Sequence, residues 1–169
     1  MNQTTTNGRT RVPNKKVLFD NPPKLLHHFD DKSLREFLDI GEVQRFRIGD
    51  KIMEEGELAT SACLIARGII SIWKEDIHIT NLGVGDFIGE AFMFGKSRRI
   101  ANVFAEEDVV LMRFSRKAVL EFFQAHPERL FKIFVMNIIA IQQQKISRMD
   151  QKIVQIQKQI MSNQPGEST

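Results

Sequence analysis

The stretch GDFIGEAFMFGKSRRIANV, residues 85–103, decides how this chain is read. It is rich in Phe, Met and Ile, yet it carries Glu90 near its start and Arg98 and Arg99 near its end, with glycines at Gly85, Gly89 and Gly95. A buried carboxylate or guanidinium is costly unless something pairs with it. Either these groups sit at a rim, or Glu90 and an arginine pair with each other across a loop, or a ligand completes them.

Around this stretch, from Val43 to Phe114, the sequence breaks into short β-type runs such as VQRFRI, CLIA, IISIW, HITNL, RIANVFA and VVLMRF. Turn signals separate them at Gly49-Asp50, Gly56-Glu57, Gly68, Gly83 and Gly85-Asp86. Turns at such regular intervals predict a mainly β domain, a compact antiparallel barrel or jelly roll and not a parallel sheet. Helices flank it. SLREFLDIG reads as a short leading helix with a capping box, Ser33 capping and Glu36 reaching back, and with Gly41 closing it. On the other side Ser115 caps RKAVLEFFQAH, and Pro127 opens a long C-terminal helix that no glycine or proline interrupts up to Ser162.

In the second half of that helix Ile139, Gln142, Ile146, Met149, Ile153, Ile156 and Ile160 recur in alternating steps of three and four. This is the seam of a coiled coil. The competing reading is one amphipathic helix lying on its own domain. At roughly 1.5 Å per residue, positions beyond about 150 would overrun a barrel of this size, which favours a helical partner and a homodimer.

The chain of 169 residues is expected to be one domain with extensions: a basic flexible tail over 1–23, the barrel with its leading and closing helices over 24–126, the long helix over 127–162 and a second flexible tail over 163–169. Formal charge is +3, but Arg9, Arg11, Lys15 and Lys16 lie in the first nineteen residues with no acid among them, so the basic character belongs to the tail. A solvated tail, a docking peptide and a nucleic-acid contact are all compatible with it. The single cysteine, Cys63, rules out an internal disulfide, and no apolar run has the length of a membrane span or the form of a secretory signal. A cytoplasmic protein without a membrane partner is expected.

Several chemistries find no support. Metal-binding barrels need clustered histidines, whereas His27 and His28 precede the barrel and His78 stands alone within it. Cys63, in an apolar strand, reads as inert core. The glycine spacing of GVGDFIG is wrong for a dinucleotide loop, and no long helix follows it. No acid, base and nucleophile constellation stands out, so an enzyme is not expected.

The glycine turn, the Gly89-Glu90 step, a short apolar turn of helix and then an arginine before a small residue together resemble the phosphate-binding cassette of the cyclic-nucleotide-binding domain family. The resemblance extends over about residues 24–148, taking in FRIGDKIMEEGE, IARGIISIW and VVLMRFSRKAVLEFF. It implies a ligand site at Gly89, Glu90, Ala91, Arg99, Ile100 and Ala101, with cyclic AMP as regulatory ligand and no metal. Independently of the family, a turn of helix after a glycine offers backbone N–H groups to an anion. Arg99 can add a charge-assisted contact to a cyclic phosphate, and Glu90 can accept from a ribose 2′-hydroxyl. Arg98 stands at a position expected to face solvent. The sequence departs from the family pattern at Ile100, where Ser, Thr or Ala is expected, and the missing hydroxyl favours cyclic AMP over cyclic GMP.

By the same resemblance Gln143 and Gln144 fall where the long helix of the family's transcription factors contacts adenine; as polar positions on a solvated helix they need no such role. Those relatives continue into a helix-turn-helix, for which residues 149–169 leave no room, so direct sequence-specific DNA binding is not expected. The expectation is a non-enzymatic sensor whose occupancy repositions a dimerising C-terminal helix and regulates an effector protein. The alternative is a degenerate domain serving as an interaction scaffold without ligand.

Overall fold

The structure, a computed structural model, describes Leu18 and residues 20–162 with the exception of Lys96. The tail expected over 1–23 falls largely outside these residues, and the one over 163–169 wholly so. Eight strands, β1 (Glu42–Phe46), β2 (Lys51–Met53), β3 (Ser61–Arg67), β4 (Ile70–Lys74), β5 (Ile77–Leu82), β6 (Phe87–Ile88), β7 (Asn102–Ala105) and β8 (Val109–Ser115), are joined by α1 (Asp31–Asp39), α2 (Arg116–Gln124) and α3 (Glu128–Ser162). The strands form two four-stranded antiparallel sheets, in the orders β1-β8-β3-β6 and β2-β7-β4-β5. This is the mainly β jelly roll with flanking helices and a long C-terminal helix that the turn spacing predicts. Strands β2 and β6, three and two residues long, are too short to carry a period and escaped that reading.

Strands β3 and β8 read as continuous apolar runs because each is covered on both faces. Ala62, Leu64 and Ala66 of β3 with Val110, Met112 and Phe114 of β8 pack outward under the helices, in a cluster that includes Phe37, Phe122, Phe123 and Phe134. The alternate residues Cys63, Ile65, Val109 and Leu111 face the barrel interior with Met53, Ile70, Ile88 and Val103. Phe37 centres the outer cluster, stacked on Phe114 and edge-on to Phe122, both at 5.1 Å between centroids. Leu18, from the segment expected to be tail, is also buried in that cluster.

Helix α1 begins earlier than the capping box predicts. Asp30 is its N-cap, accepting the Ser33 backbone N–H at 2.9 Å and the Ser33 hydroxyl at 2.8 Å. A carboxylate three residues back is a stronger acceptor than the hydroxyl it displaces from that role. Glu36 is thereby released from capping and accepts instead from His126 Nε2 at 2.8 Å, while His126 Nδ1 lies 2.7 Å from the Phe122 carbonyl. Ser115 caps α2 as expected, accepting from Ala118 N–H at 3.2 Å.

The Glu36 hydrogen bond raises the His126 pKa above 6.5, against a smaller desolvation effect and the charge of Lys32. A folded-state pKa above the unfolded one contributes stability that is complete below the unfolded value and is lost as pH rises through the folded one. Melting temperature is therefore expected to fall slightly as pH rises from about 6 towards about 8, and to do so less in Glu36→Gln; the His126 and Glu36 side chains are 19 % and 42 % exposed, so solvent screening keeps the difference small. An identical pH slope in both proteins would remove His126 from this role.

Helix α3 is anchored by its first half. Leu130, Phe134 and Ile138 are buried, and Asn137 Nδ2 donates to the Leu25 and His27 carbonyls at 3.0 and 2.8 Å. Past Lys145 its residues are exposed, although Lys152 Nζ still reaches the Ile79 carbonyl at 2.9 Å. The helix thus runs along the barrel further than its length suggested, touching it through polar side chains.

Candidate functional site

Two hairpin-like ladders bring the ends of the 85–103 stretch together. On one side the Ile65 and Gly85 N–H groups donate to Asp86 O at 3.0 Å and Ile65 O at 2.9 Å, and Ile88 pairs with Cys63, so the turn at Gly89 is fastened to β3. On the other, Arg99 N–H donates to the Glu57 carbonyl at 2.7 Å and the Arg99 carbonyl accepts from Gly56 N–H at 2.8 Å. Gly89 has φ 76°, in the left-handed region that favours glycine, and opens a 3-10 turn over Glu90–Phe94. Phe92, fully buried, pins that turn to the core.

The Arg99 guanidinium lies against Gly89 so closely that a Cβ there would collide with Nη1. Its Nη2 donates to the Ser61 carbonyl at 2.8 Å, whereas Nη1 is buried without a hydrogen-bond partner. Burial, more than any charge, pulls the Arg99 pKa below its ordinary value, with Arg113 pushing the same way and Cys63 and Glu57 opposing. A desolvated donor without an acceptor costs free energy, and an anion arriving at the turn would relieve that cost.

Glu90 is 4 % exposed. Its Oε1 accepts from Gln142 and Lys145, both on α3, so the long helix holds this carboxylate. Pairing between Glu90 and an arginine, one of the possibilities raised by the sequence, is not what forms: the exposed Arg98 donates instead to the Gly56 carbonyl at 2.7 Å. A polar cavity of about 260 Å³ opens beside Arg99, between Ser61, Cys63 and Arg113. A larger open groove of about 710 Å³ lies on the helical side. Its Glu36 and His126 are already paired with each other, so it carries no ligand reading.

The sequence profile of the cyclic nucleotide-binding domain matches residues 43–126. This segment belongs to the cyclic nucleotide-binding domain family. A cyclic nucleotide-binding domain from Methylobacillus flagellatus kt superposes with a TM-score of 0.73 at 17 % identity, over 82 % of this chain and 83 % of that one. The catabolite activator protein of Thermus thermophilus superposes at 0.68 and 19 % identity, over 79 % of this chain and 63 % of that one. At these identities the likeness is one of fold. The cAMP-dependent protein kinase regulatory subunit of Hypocrea atroviridis is 31 % identical over 77 residues, which are 46 % of this chain and only 17 % of that protein.

Within the cyclic nucleotide-binding domain, Gly89, Glu90 and Arg99 meet at the turn. Ala91 belongs to the 3-10 turn, Ala101 is half-buried just before β7, and Ile100 is 82 % exposed, so its side chain points to solvent and does not crowd the site. Gln143 is exposed, and Gln144 Oε1 accepts from Lys24 at 3.3 Å; neither glutamine contacts Glu90. The residues that do, Gln142 and Lys145, were not singled out as site residues. Gln142 is at the same time a position of the coiled-coil seam. Their spacing of three puts them on one helical face, a signal the sequence carried, but nothing local said which face meets the turn. Cys63 is buried beside the arginines, and burial pushes its thiol up to about 11, consistent with an unreactive core position. No helix among the described residues is long and apolar enough to cross a membrane.

Proposed function

We propose that this chain is a non-enzymatic cytoplasmic sensor of cyclic AMP in which occupancy of the Gly89–Arg99 site moves α3, a helix that pairs with a second copy and acts on an effector protein. The observation that carries this reading is the Arg99 Nη1 donor, buried against the left-handed Gly89 turn and left without an acceptor. A cyclic phosphate supplies the missing acceptor at a guanidinium whose desolvation has already been incurred.

The coupling to α3 follows from Glu90. A ribose 2′-hydroxyl donating to that carboxylate shares it with Gln142 and Lys145, so ligand and helix compete for one acceptor. A coupling free energy of about 1–3 kcal/mol is typical of such linked sites. Contact of adenine with Gln143 or Gln144 requires α3 to turn about its axis from the position in which Gln142 and Lys145 face the turn. The cyclic AMP assignment draws on the similarity to the cAMP-dependent kinase regulatory subunit, since the solvent-facing Ile100 gives no contact that would select a base.

A second reading, a scaffold without ligand, is favoured by one observation: Glu90 is already paired within the chain and Arg99 is held by Ser61. Thermal melts with cyclic AMP, cyclic GMP and cyclic dinucleotides separate the two. At about a hundred times its dissociation constant, cyclic AMP is expected to stabilise the fold by about 2.7 kcal/mol. A larger shift with cyclic GMP overturns the base assignment, and no shift with any of them at millimolar concentration leaves the scaffold.

A further inference from the structure

Arg113 is out of place for its strand. Its neighbours in alternation, Val109 and Leu111, fill the barrel interior, and the register sets Arg113 directly opposite Cys63, which faces the same way. A guanidinium therefore enters the end of the barrel where an apolar side chain would continue the pattern. Its Nε donates to Ser61 Oγ at 3.1 Å, and Arg99 Nη2 lies 3.4 Å from the same hydroxyl. Two cations converge on one neutral group.

The acids nearby offset them only in part. Glu42 ion-pairs with Arg113 Nη1 at 3.5 Å from an exposed position at the rim, and the charge of Glu57 acts on Arg99. Glu57 lines the cavity, but its carboxylate accepts the Glu54 backbone N–H at 3.2 Å. The Cys63 thiol, protonated at neutral pH, adds no negative charge. Guanidinium groups carry more N–H donors than one hydroxyl and one carbonyl can take, and their planar forks match the oxygens of a phosphoryl group.

We propose that this cavity is a second anion site, separate from the Gly89 turn, which takes a phosphate group between Arg99 and Arg113 with the hydroxyls of Ser61 and Thr60 as neutral partners. Its volume of about 260 Å³ lies just below the roughly 300–1,000 Å³ of pockets that enclose a whole small-molecule ligand, so the occupant is inorganic phosphate or the phosphoryl end of a phosphate monoester. Because Arg99 presents Nη1 to Gly89 and Nη2 to the cavity floor, the two anions draw on the same guanidinium and weaken each other. Reciprocity then requires phosphate to lower the affinity for a cyclic nucleotide by the same factor that the nucleotide lowers affinity for phosphate.

The test is titration of the full chain, without cyclic nucleotide, with inorganic phosphate and separately with ribose 5-phosphate, at ionic strength matched with sodium chloride. Saturable binding by wild type is expected, weakened about tenfold or more in Arg113→Met and unchanged in Arg98→Ala. Glu42→Gln is expected to tighten it, a change of sign that misfolding cannot mimic. Tighter binding of the monoester than of inorganic phosphate identifies the monoester as the occupant, and the reverse order identifies the free ion. The proposal fails if wild type responds no differently to phosphate than to chloride, if Arg113→Met binds as wild type does, or if Glu42→Gln binds more weakly. Each of these outcomes is read without cyclic AMP and leaves the sensor reading standing.

Discussion

Arg99→Ala is expected to abolish measurable binding of cyclic AMP while the protein remains folded, and Arg98→Ala to change affinity little. The two arginines are adjacent in sequence and opposite in environment. Arg98 is exposed and spends a donor on the Gly56 carbonyl, whereas Arg99 is half-buried with Nη1 against the Gly89 turn. Removing the charged partner of a desolvated anion costs about 2–5 kcal/mol, on the order of a hundredfold or more in dissociation constant. The fold loses less, because alanine deletes a hydrogen bond to Ser61 worth about 1 kcal/mol but also deletes an unsatisfied buried donor. Calorimetric titration with a melt of each variant checks both halves. Equal losses, or a loss confined to Arg98→Ala, would place the phosphate contact on the wrong residue.

Replacing Ile153 and Ile156 together with Asp is expected to convert a dimer into a folded monomer that binds cyclic AMP more weakly. Ile139, Ile146, Met149, Ile153, Ile156 and Ile160 are between 44 % and 61 % exposed on a helix whose other residues beyond Lys145 are polar apart from Val154 and Met161, and they keep the three-four spacing of a coiled-coil seam. From Ile146 onward the seam lies beside Lys145 and Lys152, which reach the barrel, whereas Gln142, the seam position before Ile146, is itself engaged with Glu90. A second copy can therefore pack on the isoleucines while the polar contacts to the barrel persist. Each isoleucine withdrawn from water contributes about 1.5–3 kcal/mol, and a carboxylate in its place opposes pairing outright. Gln144→Ala is the companion variant, expected to weaken nucleotide binding without altering mass. Light scattering and titration on the same samples decide. A wild type that is monomeric with and without ligand would exclude the seam and point to docking of α3 on another protein.

The barrel, its flanking helices and the long α3 were legible because turn punctuation, alternation and capping are local quantities. The same holds for the glycine turn and for the need of Glu90 and Arg99 to find partners, since a charge in an apolar stretch announces its own desolvation cost. Local signals compete at the start of α1, where Ser33 and Asp30 both offer a cap and the chain uses the stronger acceptor.

The identity of the partners was another matter. Ser61 lies 38 residues before Arg99, and Gln142 and Lys145 lie 52 and 55 residues after Glu90. Arg113 meets Ser61 only because β8 pairs with β3 in one register, which is set by burying Leu64 and Met112 under the helices and Ile65 and Leu111 in the barrel. A shift of one residue would turn every one of these side chains to the opposite face. The demand for a counter-charge is thus written in a few adjacent residues, while its supply depends on how burial across the whole domain brings distant segments together.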